Sequence, residues 1–131
     1  MREVEVNRFV SAPPAAVERL LSPERLIEAE GSFTVREVST DGDATLVAAG
    51  RAGVELLFRF ERIDDGLVYE QLEGPLAALT TRVTYAPEDE GTRLTARSTV
   101  AVRGPGVLDR LAAWKRRGEL RRALAEVAAS A

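Results

Sequence analysis

The feature that most constrains the fold of this 131-residue chain is an alternation of apolar and polar residues between positions 32 and 103. Alternation with a period of two places successive side chains on opposite faces of a β-strand. Short turns separate the alternating runs, and several of them, such as Asp41-Gly42-Asp43, contain the Asp-Gly pairs typical of hairpins. The pattern predicts six consecutive antiparallel strands, at residues 32–39, 44–50, 53–63, 67–73, 78–86 and 92–103.

The same alternation predicts which side of this sheet is buried. One set of positions is mainly apolar and the other is rich in Arg, Glu and Thr, as expected for an antiparallel sheet with one solvated face. The strand at 67–73 is ambiguous, because Val68 and Leu72 would also suit the interior. The positions predicted to point inward are Phe33, Val35, Leu46, Ala48, Val54, Leu56, Phe58, Phe60, Tyr69, Gln71, Thr81, Val83, Tyr85, Leu94, Ala96, Ser98, Val100 and Val102.

Turn and cap residues predict a strand and two short helices before the meander. Residues 2–10 alternate as a further strand, and Ser11-Ala12-Pro13-Pro14 then begins a helix, since proline suits the first helical position. Ser22-Pro23-Glu24 repeats this signal, with Ser22 as the expected N-cap. The second helix is expected to end at Gly31.

A long helix is predicted at residues 107–129, after Gly104-Pro105-Gly106. Its apolar residues form one stripe before Gly118 and a second stripe, nearly opposite on an ideal helix, after it. We therefore expect the helix to bend or end near Gly118, or its two halves to contact different surroundings. The first stripe consists of Val107, Leu108, Leu111 and Trp114, and the second of Leu120, Leu124 and Val127.

Composition removes several kinds of chemistry. The chain has no Cys and no His, so disulfides, thiolate nucleophiles and imidazole bases are excluded. It carries no motif for a metal ion or a phosphate, so we assign no catalytic residue, no metal and no cofactor. With 45% apolar and 30% charged residues, the chain is predicted to fold as a single domain over residues 1–131.

Charge and hydropathy limit the expected partners. Residues 1–103 carry 18 acidic and 12 basic residues, whereas residues 104–131 carry three acidic and six basic ones. The excess of positive charge is confined to residues 104–131, and a nucleic-acid-binding face would need a wider positive field, so we do not expect nucleic acid as a partner. No run approaches the ~18 apolar residues of a membrane-spanning helix, so stable membrane insertion is not expected. The first residues lack the apolar core of a secretory signal, and we expect a cytoplasmic protein.

Four segments and the order of elements carry a resemblance to a known family: the strand-to-helix entry Val10 to Val17, Tyr69 to Leu76, Gly91 to Thr95, and Gly104-Pro105 before the long helix. They resemble the helix-grip fold of the SRPBCC superfamily, which includes START-like domains, Bet v 1 allergens and polyketide cyclases. The resemblance implies an α+β fold in which a curved antiparallel sheet of about seven strands, in the order β-α-α-β6-α, surrounds a long C-terminal helix. A cone-shaped dehydratase or isomerase domain ranks second, because its long helix usually precedes the meander.

The resemblance further implies an apolar cavity between sheet and helix that binds, or transports, a hydrophobic small molecule such as a lipid, quinone or polyketide. The alternative is that the inward apolar residues form a closed, packed core, and for any single one of them this is the favoured interpretation. Apolar side chains expected to line the cavity are Leu56, Phe58, Phe60, Tyr69, Val83, Leu111 and Trp114, and polar ones expected to orient the ligand are Arg8, Gln71, Thr81 and Ser98.

Two other functions stay open. One is a polyketide cyclase or aromatase-like enzyme that uses the same cavity. The other is an interaction module with a collapsed cavity, which docks a partner through the basic residues of the last helix. These are Lys115, Arg116, Arg117, Arg121 and Arg122, and we favour a solvated outer face for them. A homodimer is also left open.

Overall fold

The computed structural model describes residues 1–131 and contains seven strands and three helices. All seven strands belong to one antiparallel sheet, in the order β1-β7-β6-β5-β4-β3-β2. The predicted α+β class and element order are confirmed. The elements are β1 (Arg2–Val10), α1 (Pro14–Leu20), α2 (Pro23–Glu30), β2 (Thr34–Asp41), β3 (Ala44–Arg51), β4 (Val54–Ile63), β5 (Gly66–Glu73), β6 (Ala78–Glu88), β7 (Gly91–Ala101) and α3 (Gly106–Ser130).

Strand register builds a continuous row of side chains across the inner face of the sheet. Phe60 of β4 lies opposite Tyr69 of β5, Tyr69 lies opposite Thr81 of β6, and Thr81 lies opposite Ser98 of β7. Directly opposite residues of antiparallel strands project to the same face. Three hydroxyl groups therefore stand side by side in the middle of the sheet, facing the helices.

Local capping residues determine where α2 begins and ends. The Ser22 side chain accepts a hydrogen bond from the backbone N–H of Arg25, and Pro23 occupies the first helical turn. Gly31 stops the helix in the left-handed conformation, with φ of 84°, which glycine adopts without a Cβ clash. This stop makes Glu30 the last residue of α2, and Glu30 is buried against the sheet and α3.

The core lies between the inner face of the sheet and the helices. Val17 of α1, Leu26 of α2 and Leu120 of α3 are all almost fully buried in it. In β3 the predicted inward residues were wrong: Val47 and Ala49 are buried instead of Leu46 and Ala48. The cause is that β3 is apolar at both odd and even positions, so alternation does not identify its inner face.

The long helix α3 runs without a break through Gly118, so it does not end there. Its two halves have different surroundings, which was one of the predicted alternatives. Every buried residue of α3 lies at or after Arg116, and the helix as a whole packs against α2 and against strands β1 and β7. The first half is held at Asp109, which accepts a hydrogen bond from the Val102 backbone and pairs with the amino group of Met1. No helix is both long and apolar enough to cross a lipid bilayer.

Candidate functional site

The centre of the site is the guanidinium of Arg116, whose side chain is only 4% exposed. An arginine stays charged when buried and has five N–H groups, so burial is tolerable only if each group finds an acceptor. Nε donates to Ser98 Oγ at 3.1 Å, and Nη1 donates to Glu30 Oε1 at 2.5 Å. The other bonds run from Nη1 to Glu119 Oε1 at 3.2 Å, and from Nη2 to Tyr69 Oη at 2.6 Å and Thr81 Oγ1 at 2.7 Å.

Three separate parts of the fold supply these acceptors. The hydroxyls belong to the row that strand register forms across β5, β6 and β7. Glu30 comes from the end of α2, and Glu119 lies one turn after Arg116 on α3. The buried cluster, as we call Arg116 with Glu30, Tyr69, Thr81, Ser98 and Glu119, therefore joins sheet, α2 and α3 at one point.

The acceptors are bonded to one another as well. The Tyr69 hydroxyl donates to Glu30, and the hydroxyls of Thr81 and Ser98 lie 2.9 Å apart. Glu119 receives further bonds from Ser32 and from Lys115 Nζ, the latter at 3.2 Å. No buried polar side-chain atom in the structure lacks a hydrogen-bond partner. Such a saturated network is rigid, because moving any member leaves another without its partner.

The electrostatics of the buried cluster hold Tyr69, Arg116 and Glu119 in fixed protonation states near neutral pH. Burial raises the pKa of Tyr69 well above its ordinary value, and Glu30 adds to this although Arg116 opposes it. Burial disfavours the charged form of Arg116, yet Glu30, Tyr69 and Glu119 together raise its pKa. Burial also opposes ionisation of Glu119, but Arg116, Ser32 and Lys115 outweigh it and lower the pKa. Tyr69 thus remains a phenol and Glu119 a carboxylate.

A cavity of about 110 Å³ lies between the sheet and α3, beside the buried cluster. Its walls are mainly apolar, and its polar end is formed by Glu30, Arg116, Glu119 and Lys115. The exposed Lys115 and Pro75 place its opening between the β5–β6 loop and the first half of α3. The apolar walls consist of Phe33, Leu56, Phe58, Pro75, Leu76, Leu79, Val100 and Ala112.

A wider depression of about 520 Å³ lies elsewhere, between α2 and the end of α3. Three charged residues line it, namely Arg25, Glu28 and Glu126, and all three are exposed to solvent. Charged groups that keep their water offer little to an apolar ligand. We therefore consider the smaller cavity to be the candidate site. No group of three or more acidic side chains is arranged to hold a metal ion.

Several residues predicted for the site do meet around the cavity. Leu56 and Phe58 form part of its wall, and Tyr69, Thr81 and Ser98 belong to the buried cluster. Phe60 and Val83 are buried in the core outside the cavity wall. Phe60 stacks on the Tyr69 ring with centroids 4.4 Å apart, and so supports the cluster by packing.

Gln71 is used locally. It lies on the inner side of β5, opposite Phe58, as the alternation predicted. Its side chain donates from Nε2 to the Leu76 carbonyl at 2.9 Å and accepts from the Leu76 N–H at 3.4 Å. Both polar atoms of the amide are thereby occupied in holding the β5–β6 loop beside the cavity.

Three further residues predicted to face the cavity do not line it. Leu111 and Trp114 are 60% and 76% exposed and face solvent, because α3 turns the stripe of Arg116 and Leu120 toward the sheet. Trp114 precedes Arg116 by two residues, which places it about 200° around the helix. Arg8 lies opposite the buried Leu94, yet its long side chain is exposed and its charge stays in solvent.

The central residue of the site was assigned to the wrong surface. We predicted Arg116 as part of a solvated basic face, whereas it is the most deeply buried charge of the chain. The signal that could have found it is its spacing: Arg116, Leu120, Ala123 and Val127 follow one another at four, three and four residues, on one side of a helix. Glu30 has no comparable signal, since its partner lies 86 residues away in the chain.

Comparison with solved structures finds chains of the same architecture. The protein TTHA0849 from Thermus thermophilus is 23% identical, with a TM-score of 0.72 over 99% of both chains. The Zhui aromatase/cyclase from Streptomyces sp. R1128 is 18% identical, with a TM-score of 0.71 over 96% of this chain and 93% of that one. Ara h 8.0201 is 16% identical, with a TM-score of 0.63 over 96% and 97% of the two chains. At these identities the likeness is one of fold.

No family model matches the chain, and no curated protein is similar to it in sequence.

Proposed function

We propose that this chain, which has the helix-grip fold shared by START-like and Bet v 1-like proteins, binds a small apolar molecule with one oxygen-bearing group between its sheet and α3. The observation that carries the proposal is the cavity itself, in which apolar walls end at a fixed set of charges. Cavities of this kind, apolar with a few convergent polar groups, are the usual form of a small-molecule site. The fold neighbours include a protein named as an aromatase/cyclase, which agrees with such a use of the fold.

The apolar walls determine how much ligand the cavity takes. An engineered apolar cavity of roughly 150 Å³ holds one benzene molecule, so a space of about 110 Å³ limits the buried part of a ligand to at most a single ring or a short branched chain, with the rest in the opening. Leu56, Leu79 and Val100 would contact such a group from the sheet. A longer ligand has room to extend between the β5–β6 loop and the first half of α3, where no residue of the helix is fully buried.

The polar end determines which head group fits. Arg116 has no free N–H, so a ligand oxygen would meet Lys115 and Glu119 first. Lys115 has three N–H groups and bonds Ser32 and Glu119 at 3.4 and 3.2 Å, so one donor remains. A hydroxyl can accept from Lys115 and donate to the Glu119 carboxylate, whereas a carbonyl can only accept. A phenol or alcohol is therefore the best match.

Fixed charges favour binding over proton transfer. A general acid or base works best when its pKa lies near the working pH. In the buried cluster Tyr69 has a raised pKa and Glu119 a lowered one, so both move away from neutrality. A cyclase-like reaction in the same cavity stays the alternative. It would require a ligand that moves the pKa of Tyr69 or Glu119 toward neutrality.

Titration with two matched rings tests the proposal. We expect p-cresol to shift the methyl resonances of Leu56, Leu79 and Val100 saturably, and toluene, which lacks the hydroxyl, to bind more weakly. Ala112→Leu, which fills the cavity from α3, should abolish both effects, while Ala129→Leu on the exposed end of the same helix should not. Resonances that stay unchanged with both rings up to their solubility would contradict the proposal.

A further inference from the structure

The outer face of the first half of α3 carries an apolar row that is largely exposed to solvent. Val107, Leu111 and Trp114 are 58%, 60% and 76% exposed. Their spacings of four and three residues align them along one side of the helix. Exposed large apolar side chains are ordinary when scattered, but a continuous row on one helix face indicates a contact surface.

Cationic side chains border this row. Arg110 and Arg117 stand four residues before and three residues after Trp114, which makes them its direct neighbours on the helix surface. Arg121 follows one turn later, and all three are exposed and form no ion pair in the structure. We call Val107, Leu111 and Trp114, together with Arg110, Arg117 and Arg121, the basic apolar face.

The acidic residues of α3 do not neutralise this face. Asp109 is bonded to the Val102 N–H and to the amino group of Met1, and Glu119 is buried against Arg116. Glu126 is exposed but lies more than one turn beyond Arg121. The positive potential along the row is therefore open to an anionic partner.

We propose that the basic apolar face docks the protein on the surface of an anionic lipid bilayer. A helix that lies in the membrane interface presents apolar and aromatic side chains to the acyl chains and basic ones to the head groups. Trp suits this depth, because its ring is apolar and its indole N–H is polar. Arg110, Arg117 and Arg121 would contact lipid phosphates, with which guanidinium groups form paired hydrogen bonds.

The charges argue against a second copy of the chain as the occupant. A symmetric dimer brings the same patch of both subunits together, so the basic apolar face of one copy would lie against the basic apolar face of the other. Arginines would then face arginines across the row, with no free carboxylate to separate them. A planar anionic surface meets the same helix without this repulsion.

Docking in this way would place the cavity opening at the membrane. Leu111 and Trp114 belong to the basic apolar face, and the next residue after each, Ala112 and Lys115, lines the cavity. The docking proposal does not rest on the proposed ligand, because no residue of the basic apolar face lines the cavity.

Trp114 is the only tryptophan of the chain, so its fluorescence reports on this face alone. With vesicles of phosphatidylglycerol and phosphatidylcholine in equal parts, we expect a blue shift of its emission and co-sedimentation of the protein. Vesicles of phosphatidylcholine alone should give neither, and salt should weaken the binding because it screens the charges.

Two sets of variants with equal charge loss locate the surface. Replacing Arg110, Arg117 and Arg121 by Gln should weaken vesicle binding on the order of 100-fold, since each basic residue near an anionic surface contributes about fivefold. Replacing Arg8, Arg25 and Arg82 by Gln removes the same charge from exposed positions elsewhere and should have a much smaller effect. Leu111→Ser should weaken binding without changing the net charge.

Three results would overturn the proposal: no binding to anionic vesicles, equal losses in the two triple variants, or a blue shift that depends on protein concentration without lipid. The last result would identify a second copy of the chain as the occupant. Ala112→Leu, which fills the cavity, should bind vesicles like the unchanged protein. Failure of p-cresol binding and failure of docking are therefore separate outcomes.

Discussion

Replacement of Arg116 by Met should destabilise the protein more than replacement of any other arginine. The change removes five hydrogen bonds at once and leaves the carboxylates of Glu30 and Glu119 in the interior without their main cation. Breaking a buried ion pair by removing one partner costs about 3–5 kcal/mol, because the remaining charge is uncompensated. Native domains are stable by roughly 5–15 kcal/mol, so this loss is a large fraction of the total.

Urea denaturation followed by circular dichroism measures the effect. Arg117→Met, one residue along on the exposed side of the helix, is the matched control and should change the free energy of unfolding by about 0.5 kcal/mol or less. Arg116→Lys should fall between the two, because the charge is kept but the planar fork of five donors is lost.

A triple variant separates lost charge balance from lost packing. With Arg116→Met, Glu30→Gln and Glu119→Gln together, no charge stays buried in the cluster, so we expect it to be more stable than Arg116→Met alone. The reasoning is refuted if Arg116→Met loses no more than Arg117→Met. It is also refuted if neutralising both carboxylates makes the single variant still less stable.

Three further predictions follow from individual contacts. Glu119→Gln should lower stability at neutral pH, and the gap to the unchanged protein should close only as pH falls below about 4.5. The folded pKa of Glu119 lies below this ordinary value, so its contribution is complete above that pH and is lost as pH falls through the folded pKa; a gap independent of pH in urea titrations would contradict this. Lys115 is the only lysine and lines the cavity, so an amine-reactive label should modify it more slowly when p-cresol is present, while the Met1 amino group should react at an unchanged rate. Peptide mass spectrometry measures both rates, and equal slowing at the two sites would speak against cavity binding. Gly66→Ala should lower the free energy of unfolding by about 2–4 kcal/mol, since an added Cβ would lie 1.9 Å from the Val83 carbonyl oxygen. Gly53→Ala has open space around it and should cost about 1 kcal/mol. Thermal unfolding measures both, and similar losses at the two positions would argue against the clash.

The buried cluster defines the geometry of the core more specifically than apolar residues at the same positions would. Replacing buried ion pairs by well-packed apolar residues is often neutral or even stabilising, so the cluster is not needed for stability as such. It does specify one geometry, because the fork of Arg116 fits only when Glu30 and the hydroxyl row are both in place. We infer that it sets the position of α3 over the sheet, and with it the shape of the cavity end.

Much of the fold could be predicted from the sequence because its signals are local. Alternation and Asp-Gly turns placed all seven strands within a few residues, and Ser22, Pro23 and Gly31 marked both ends of α2. The error in β3 has the same origin: where Leu46, Val47, Ala48 and Ala49 are all apolar, local pattern cannot choose a face. Pairing with β4 decides it, because Val47 lies opposite the inward Phe58.

Part of the candidate site follows from the sequence alone, and part follows only from the tertiary structure. Alternation by itself put Tyr69, Thr81 and Ser98 on the inner face of the sheet, and composition by itself removed thiolate and imidazole chemistry. Only the tertiary structure decided that α3 turns Arg116 inward and Trp114 outward, because the helix carries two apolar stripes and either could face the sheet. The burial of Arg116 depends on Glu30, 86 residues away, and a charge can enter the interior only where distant elements bring its partners together.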